Sequence, residues 1–142
     1  MYIKGATVYA VCTAGNPEVA VDANTEGGKK LYVQSGTLAA IGGLESGSSI
    51  TGSAYGISSW SKSSWMGLYD AGGIAVLAFK TPSAGSSTLV VYSDGKSVSL
   101  SSGVSTSGGS EIWGGNGYVP GSVNGGDPVN LSSYSGGRGG RF

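Results

Sequence analysis

The sequence predicts an all-β fold, a small antiparallel sandwich or barrel, followed by a Gly-rich and largely irregular C-terminal arm. Three observations carry this expectation. Apolar and β-branched residues come in runs of about five, closed by Gly, Asn, Ser or Pro clusters, which is the spacing of strands and turns. Helix signals are scarce. One Asp-Gly pair, Asp94-Gly95, has flanks that sort their apolar residues onto one face if the chain folds there as a hairpin.

In order along the chain, Tyr2 to Val11 is β-branched and aromatic and reads as a first strand, ended by Gly15-Asn16-Pro17. A short second strand covers Glu18 to Asp22, and the cluster Ala23 to Gly28 turns the chain. Strands resume at Lys30 to Gln34 and, after Ser35-Gly36, at Thr37 to Ile41. Leu44 to Leu68 is Ser/Gly-rich and carries Trp60 and Trp65. Ile57, Trp60, Ser64 and Leu68 would share one helical face, yet the flanking glycines argue equally for short strands or irregular chain. Ile74 to Phe79 is apolar on both faces and reads as a central strand. At Asp94-Gly95 a two-residue type I′ loop would set Tyr92 opposite Ser97, Val91 opposite Val98, Val90 opposite Ser99 and Leu89 opposite Leu100. Leu89, Val91, Val98 and Leu100 would then share a face, and the three segments would form a meander.

Past Leu100 the pattern breaks, so the chain divides into a β-domain, residues 1–100, and a Gly/Ser-rich arm, residues 101–142. The arm holds nearly half of the chain's 28 glycines and no long apolar run. Ordering a Gly-rich backbone costs more conformational entropy than ordering any other. Such a segment needs a surface to fold on, and neighbouring subunits are the expected source. Ile112-Trp113 and Tyr118-Val119 could flank an Asn116-Gly117 turn as short arms of a hairpin. Extended packing of the polyproline-II kind is the alternative.

Charge and composition exclude several classes of function. Only 11% of residues are charged and the net charge is zero, against about 25% charged residues in ordinary soluble domains. No global field draws the chain to nucleic acid or an anionic membrane. The opening lacks a signal-peptide core, and no window reaches the length of a membrane span. There is no histidine and a single cysteine, Cys12, which rules out His-based triads and any standard zinc site within one chain. Cys12 itself reads as a small buried hydrophobe.

Weaker motifs fail on detail. Glu18, Asp22 and Glu26 form an acidic cluster, but carboxylates beside turns are normally solvated. The calcium-loop pattern that starts at Asp22 has Val33 where a bidentate Glu is needed. Gly27-Gly28-Lys29-Lys30 lacks both the leading Gly and the Ser/Thr of a phosphate loop. The terminus from Gly136 to Phe142 resembles an RNA-binding RGG box, yet it offers only Arg138 and Arg141, too few charges for an electrostatically driven ligand. No catalysis and no cofactor are expected.

The aromatics remain. Trp60 and Trp65 fit a core completed under a long loop, whereas Trp113, Tyr118 and Tyr134 lie where little core is available to hide them. With its start at Met1-Tyr2-Ile3-Lys4-Gly5, its short strands, low charge and Gly-rich arm, the chain resembles small bacteriophage virion proteins, such as capsid decoration proteins, spikes and tail-fibre tips. Residues 101–142 are similar in texture to the glycine-rich adhesins at the tips of T-even-like long tail fibres, although the glycines here come in pairs rather than long repeats. The resemblance implies a structural or accessory subunit of a symmetric homo-oligomer in a virion, made in the host cytoplasm and in contact with other structural proteins. A carbohydrate- or receptor-binding module that uses exposed aromatics is the alternative. The expected assembly or receptor contacts are Trp113, Asn116, Tyr118, Val119, Tyr134, Arg138, Arg141 and Phe142.

Overall fold

A computed structural model describes residues 2–13, 19–21, 30–45, 47–85, 88–113 and 115–135, with the backbone alone at Trp113. The described residues form fourteen strands and no helix, arranged in three sheets, so the fold is an all-β sandwich.

The first half is built by repetition of one unit: a two-residue strand, a corner, then a longer strand. β1 (Tyr2–Ile3) turns into β2 (Ala6–Val11), β3 (Tyr32–Val33) into β4 (Gly36–Ile41), and β5 (Ser49–Ile50) into β6 (Ala54–Ile57). The short strands stack in parallel in the order β1-β3-β5, with Ile3, Val33 and Ile50 in register. β2 and β4 stack the same way, from Ala6 against Gly36 to Val11 against Ile41. The corner depends on Gly36, whose backbone is left-handed at φ +95°. A Cβ at Gly36 would sit 2.7 Å from the nitrogen of Ala6, so no other residue fits there without parting the rungs.

β6 does not join β4 directly. β9 (Leu89–Ser93) enters antiparallel between them, and the second sheet runs β14-β6-β9-β4-β2, with β14 (Ser132–Tyr134) at one edge. β4 and β9 are covered on both faces. Leu38 pairs with Tyr92 and Ala40 with Val90 on one side, and Ala39 pairs with Val91 and Ile41 with Leu89 on the other. The first set joins Ile3, Val33, Leu31, Leu44 and Tyr134 in a core beneath the short-stranded sheet. The second set joins Met66, Leu68, Leu77, Phe79 and Leu100 from the third sheet. Each fully buried aliphatic side chain contributes about 1.5–3 kcal/mol. A strand apolar at every position is therefore stable only as a middle layer.

The third sheet runs β11-β12-β8-β7-β10-β13, from β11 (Ser105–Trp113) and β12 (Gly117–Asn124) through β8 (Ala75–Lys80), β7 (Trp65–Tyr69) and β10 (Ser99–Ser102) to β13 (Asp127–Pro128). Tyr9 ties the layers together. Its hydroxyl donates to the Lys80 carbonyl at 2.6 Å, and its ring meets Phe79 with centroids 4.9 Å apart.

Several expectations are corrected. The run Tyr2 to Val11 is two strands in two sheets. Leu44 to Leu68 contains β5, β6 and the start of β7, so short strands prevail over the helical face there. Of the expected strand at Glu18 to Asp22, Val21 makes one parallel bridge to Leu44, and Glu18 and Asp22 lie outside the described residues. The hairpin about Asp94-Gly95 does not form. The turn itself is present, with both residues at positive φ (50° and 72°) and Lys96 N–H bonded to the Ser93 carbonyl at 3.0 Å. However, β9 is already flanked by β4 and β6, so the chain crosses to the other sheet, where Leu100 pairs with Leu68. Leu89, Val91 and Leu100 still share a core, as the face sorting requires, but they meet across the sandwich rather than along a ladder.

The boundary drawn at residue 100 falls inside β10, and the arm is more regular than expected. β11 and β12 form a long hairpin, β12 pairs with β8, and β14 pairs with β6. Residues 105–113 and 115–134 thus have strand partners within the chain itself.

Candidate functional site

The outer face of the third sheet carries a cleft of about 490 Å³ between β7 and the β11–β12 hairpin. Its aromatic wall is Trp65 and Tyr118, with ring centroids 5.9 Å apart and planes inclined at 39°. Val104, which is nearly buried, and the segment Ser105 to Gly108, its polar rim, complete the lining.

Each wall is fixed by local sequence. Thr81, which is almost fully buried, receives the Ser64 N–H at its hydroxyl (2.9 Å) and donates that hydroxyl to the Ser61 carbonyl at 2.6 Å. Its own N–H donates to the Ser64 carbonyl at 2.9 Å. The loop before β7 is thereby held where it delivers Trp65 to the outer face. The Trp65 carbonyl in turn accepts the N–H groups of Gly103 (2.8 Å) and Val104 (3.1 Å), so the rim begins on the backbone of that aromatic. Tyr118 is placed by the pairing of β12 with β8, where it stands opposite Ala78.

The far end of the hairpin is seated by missing side chains. A Cβ on Gly67 would lie 2.8 Å from Val123 Cγ1, and one on Gly126 would lie 2.7 Å from Val104 Cγ1. These two glycines let β12 and its exit lie close over β7 and Val104.

The rim is rich in hydroxyls whose protons are already engaged. Thr106 Oγ1 donates to the Ser122 carbonyl at 3.2 Å, and Ser105 Oγ donates to the Asn124 carbonyl at 3.4 Å, a long contact. Ser107 and Ser122 share a hydrogen bond at 2.7 Å. A hydroxyl has one proton and two lone pairs, so these groups keep acceptor capacity. Among the described lining residues there is no Lys, Arg, Asp or Glu.

The contact residues expected from sequence separate into three groups. Tyr118 lines the cleft, and Asn116 closes the hairpin turn, its carbonyl accepting the Lys80 N–H at 2.8 Å. Val119 is exposed on the same strand. Tyr134 is buried within its own chain, with its hydroxyl 3.2 Å from the Leu44 nitrogen. The arm's sequence offers it no core, and β14 supplies one. Trp113 ends β11, with its side chain outside the description, and Arg138, Arg141 and Phe142 lie outside the described residues, as do Asp22 and Glu26.

Trp65 read from sequence as a loop-covering core residue; it is half-buried in the cleft wall. The rim hydroxyls carry little sequence signal. The alternation Ser105-Thr106-Ser107 opposite Ser122-Val123-Asn124 is their only sequence signal, and the glycines around it masked the strand. Elsewhere among the described residues, Asp70, Asp94 and Lys96 border a smaller hollow of about 140 Å³. Both carboxylates are used within the fold: Asp70 Oδ1 accepts the N–H groups of Gly72 and Ile74, and Asp94 Oδ1 accepts that of Gly36 at 2.7 Å.

No protein-family model, no curated protein and no solved structure matches this chain.

Proposed function

We propose that this chain is a non-catalytic binding module that recognises a receptor or glycan through the Trp65–Tyr118 cleft. The observation that carries the reading is the pairing of two partly exposed aromatic rings with an uncharged hydroxyl rim in one concavity. Its volume lies within the roughly 300–1,000 Å³ of ordinary small-ligand sites. Aromatic walls supply contact area at low entropic cost, and the polar rim fixes orientation. Trp65→Ala is expected to abolish retention of the protein on host-cell surfaces or immobilised glycans while leaving its circular dichroism and melting temperature nearly unchanged. Undiminished retention by the folded variant would refute the reading.

A second reading, a structural subunit of a symmetric, virion-type assembly, is favoured by Val119 and Ile112, which are 40% and 36% exposed on adjacent strands at the edge of the third sheet. Exposed apolar groups at a sheet edge are a usual means of contact between copies. On this reading the double variant Ile112→Lys, Val119→Lys converts the oligomer to monomer in light scattering. A wild type that is already monomeric at all concentrations would rule it out.

A further inference from the structure

We infer that the cleft takes an uncharged saccharide, a pyranose unit or short chain that presents hydroxyl donors; this rests on the binding-module reading and specifies its ligand. The rim decides the chemistry. Thr106 and Ser105 spend their protons on the carbonyls of Ser122 and Asn124, and Ser107 shares one with Ser122. Side chains alternate along β11, so Thr106 stands on the face of Val123, which lies over β7, while Ser105 and Ser107 take the other. The Thr106 hydroxyl, its proton spent, offers mainly lone pairs. A ligand matched to them brings protons, which a polyol does at nearly every carbon.

Carboxylate, sulfate and phosphate groups bring acceptors only and require cations or N–H clusters. The described lining residues include no cation; Lys80, opposite Trp65 across β7 and β8, is not one of them. A proline-rich peptide, the other ligand commonly laid on aromatic grooves, brings carbonyl acceptors and few N–H donors, so it would be met by the Trp65 indole N–H and the Tyr118 hydroxyl and not by the rim. The aromatic wall completes the match. The C–H face of a pyranose lies on an indole or phenol ring while its hydroxyls point sideways, where the polar residues of the same lining can meet them.

The test uses the full chain against neutral oligosaccharides of glucose, galactose, mannose and N-acetylglucosamine, their sulfated and sialylated counterparts, and a proline-rich peptide. Isothermal titration would measure wild type, Trp65→Ala, Tyr118→Ala and Thr106→Val. Thr106→Val keeps the side-chain shape and removes the acceptor, and Tyr118→Ala serves should Trp65→Ala fail to fold. The expected result is binding of at least one neutral series, insensitive to salt, weakened about tenfold or more by either aromatic substitution and severalfold by Thr106→Val. Preference for an anionic glycan or the peptide, lost in Trp65→Ala, would overturn the saccharide assignment and leave the binding module standing. Binding that ignores both aromatic substitutions would overturn the module reading as well, and no binding of any probe by the folded chain would overturn the assignment.

Discussion

Tyr9 and Tyr92 show how single buried phenols set the conditions under which the fold holds. Burial raises the Tyr9 hydroxyl well above the ordinary phenol range. Tyr92 is raised by burial first and by the nearby negative charge of Asp94 second, while its hydroxyl donates to the Thr51 carbonyl at 2.9 Å. In the unfolded chain both groups lose their protons near pH 10. Below about pH 10 both states are protonated, and the stabilisation is fully present; above it the unfolded state releases protons that the folded state retains, so stability falls with rising pH. The melting temperature is expected to be level from neutrality to about pH 9.5 and to drop beyond about pH 10. Tyr9→Phe should shallow that drop while lowering the neutral-pH melting temperature through loss of the bond to Lys80. An equally steep alkaline drop in both Tyr9→Phe and Tyr92→Phe would contradict the assignment. Neither phenol's role was legible in the sequence, because the acceptors, Lys80 and Thr51, are far away along the chain.

Among the elements, the stacked rungs make the sharpest demand on one residue. Gly36→Ala puts a Cβ against the Ala6 backbone at a position with φ +95°. The left-handed backbone alone costs on the order of 1–3 kcal/mol, and the clash adds to it by parting β2 from β4. Chemical denaturation is expected to show a loss of at least about 2 kcal/mol, whereas Gly5→Ala, which has open space around the added carbon, should cost less. Equal losses would mean the corner is not the constraint.

Strand content was readable at this scale because Val, Ile and Tyr runs bounded by Gly carry their own signal: Thr37–Ile41 and Ile74–Phe79 coincide closely with β4 and β8. Partnership was not readable. The Asp94-Gly95 turn is chemically a hairpin turn, yet β9 has both edges taken, and that occupancy is a property of strands distant in sequence. Likewise β11 and β12 owe their order to pairing with each other and with β8, which no local propensity in a Gly/Ser-rich segment reports.

For the whole molecule, β9 in the middle layer joins the two cores, and the C-terminal segment completes the middle sheet and the third sheet. β14 closes one edge of the five-stranded sheet and Tyr134 fills the core beneath it. The cleft follows from that completion, since its two walls come from segments that meet only when the hairpin is seated on Gly67 and β8. Of the two aromatics in the cleft wall, Tyr118 is legible in the sequence as an exposed contact, whereas Trp65 reads as core. The uncharged rim that gives it a chemistry was hidden in residues whose strand character is tertiary in origin.

The most direct measurement of the binding claim follows the Trp65 indole N–H resonance of ¹⁵N-labelled protein, assigned by its loss in Trp65→Phe, during titration with the neutral oligosaccharides. Saturable shifts are expected at Trp65 together with the amides of Thr106, Ser107 and Tyr118, with Trp60 unmoved. Shifts confined to other surfaces, or a Trp65 signal unchanged at saturating ligand, would contradict it.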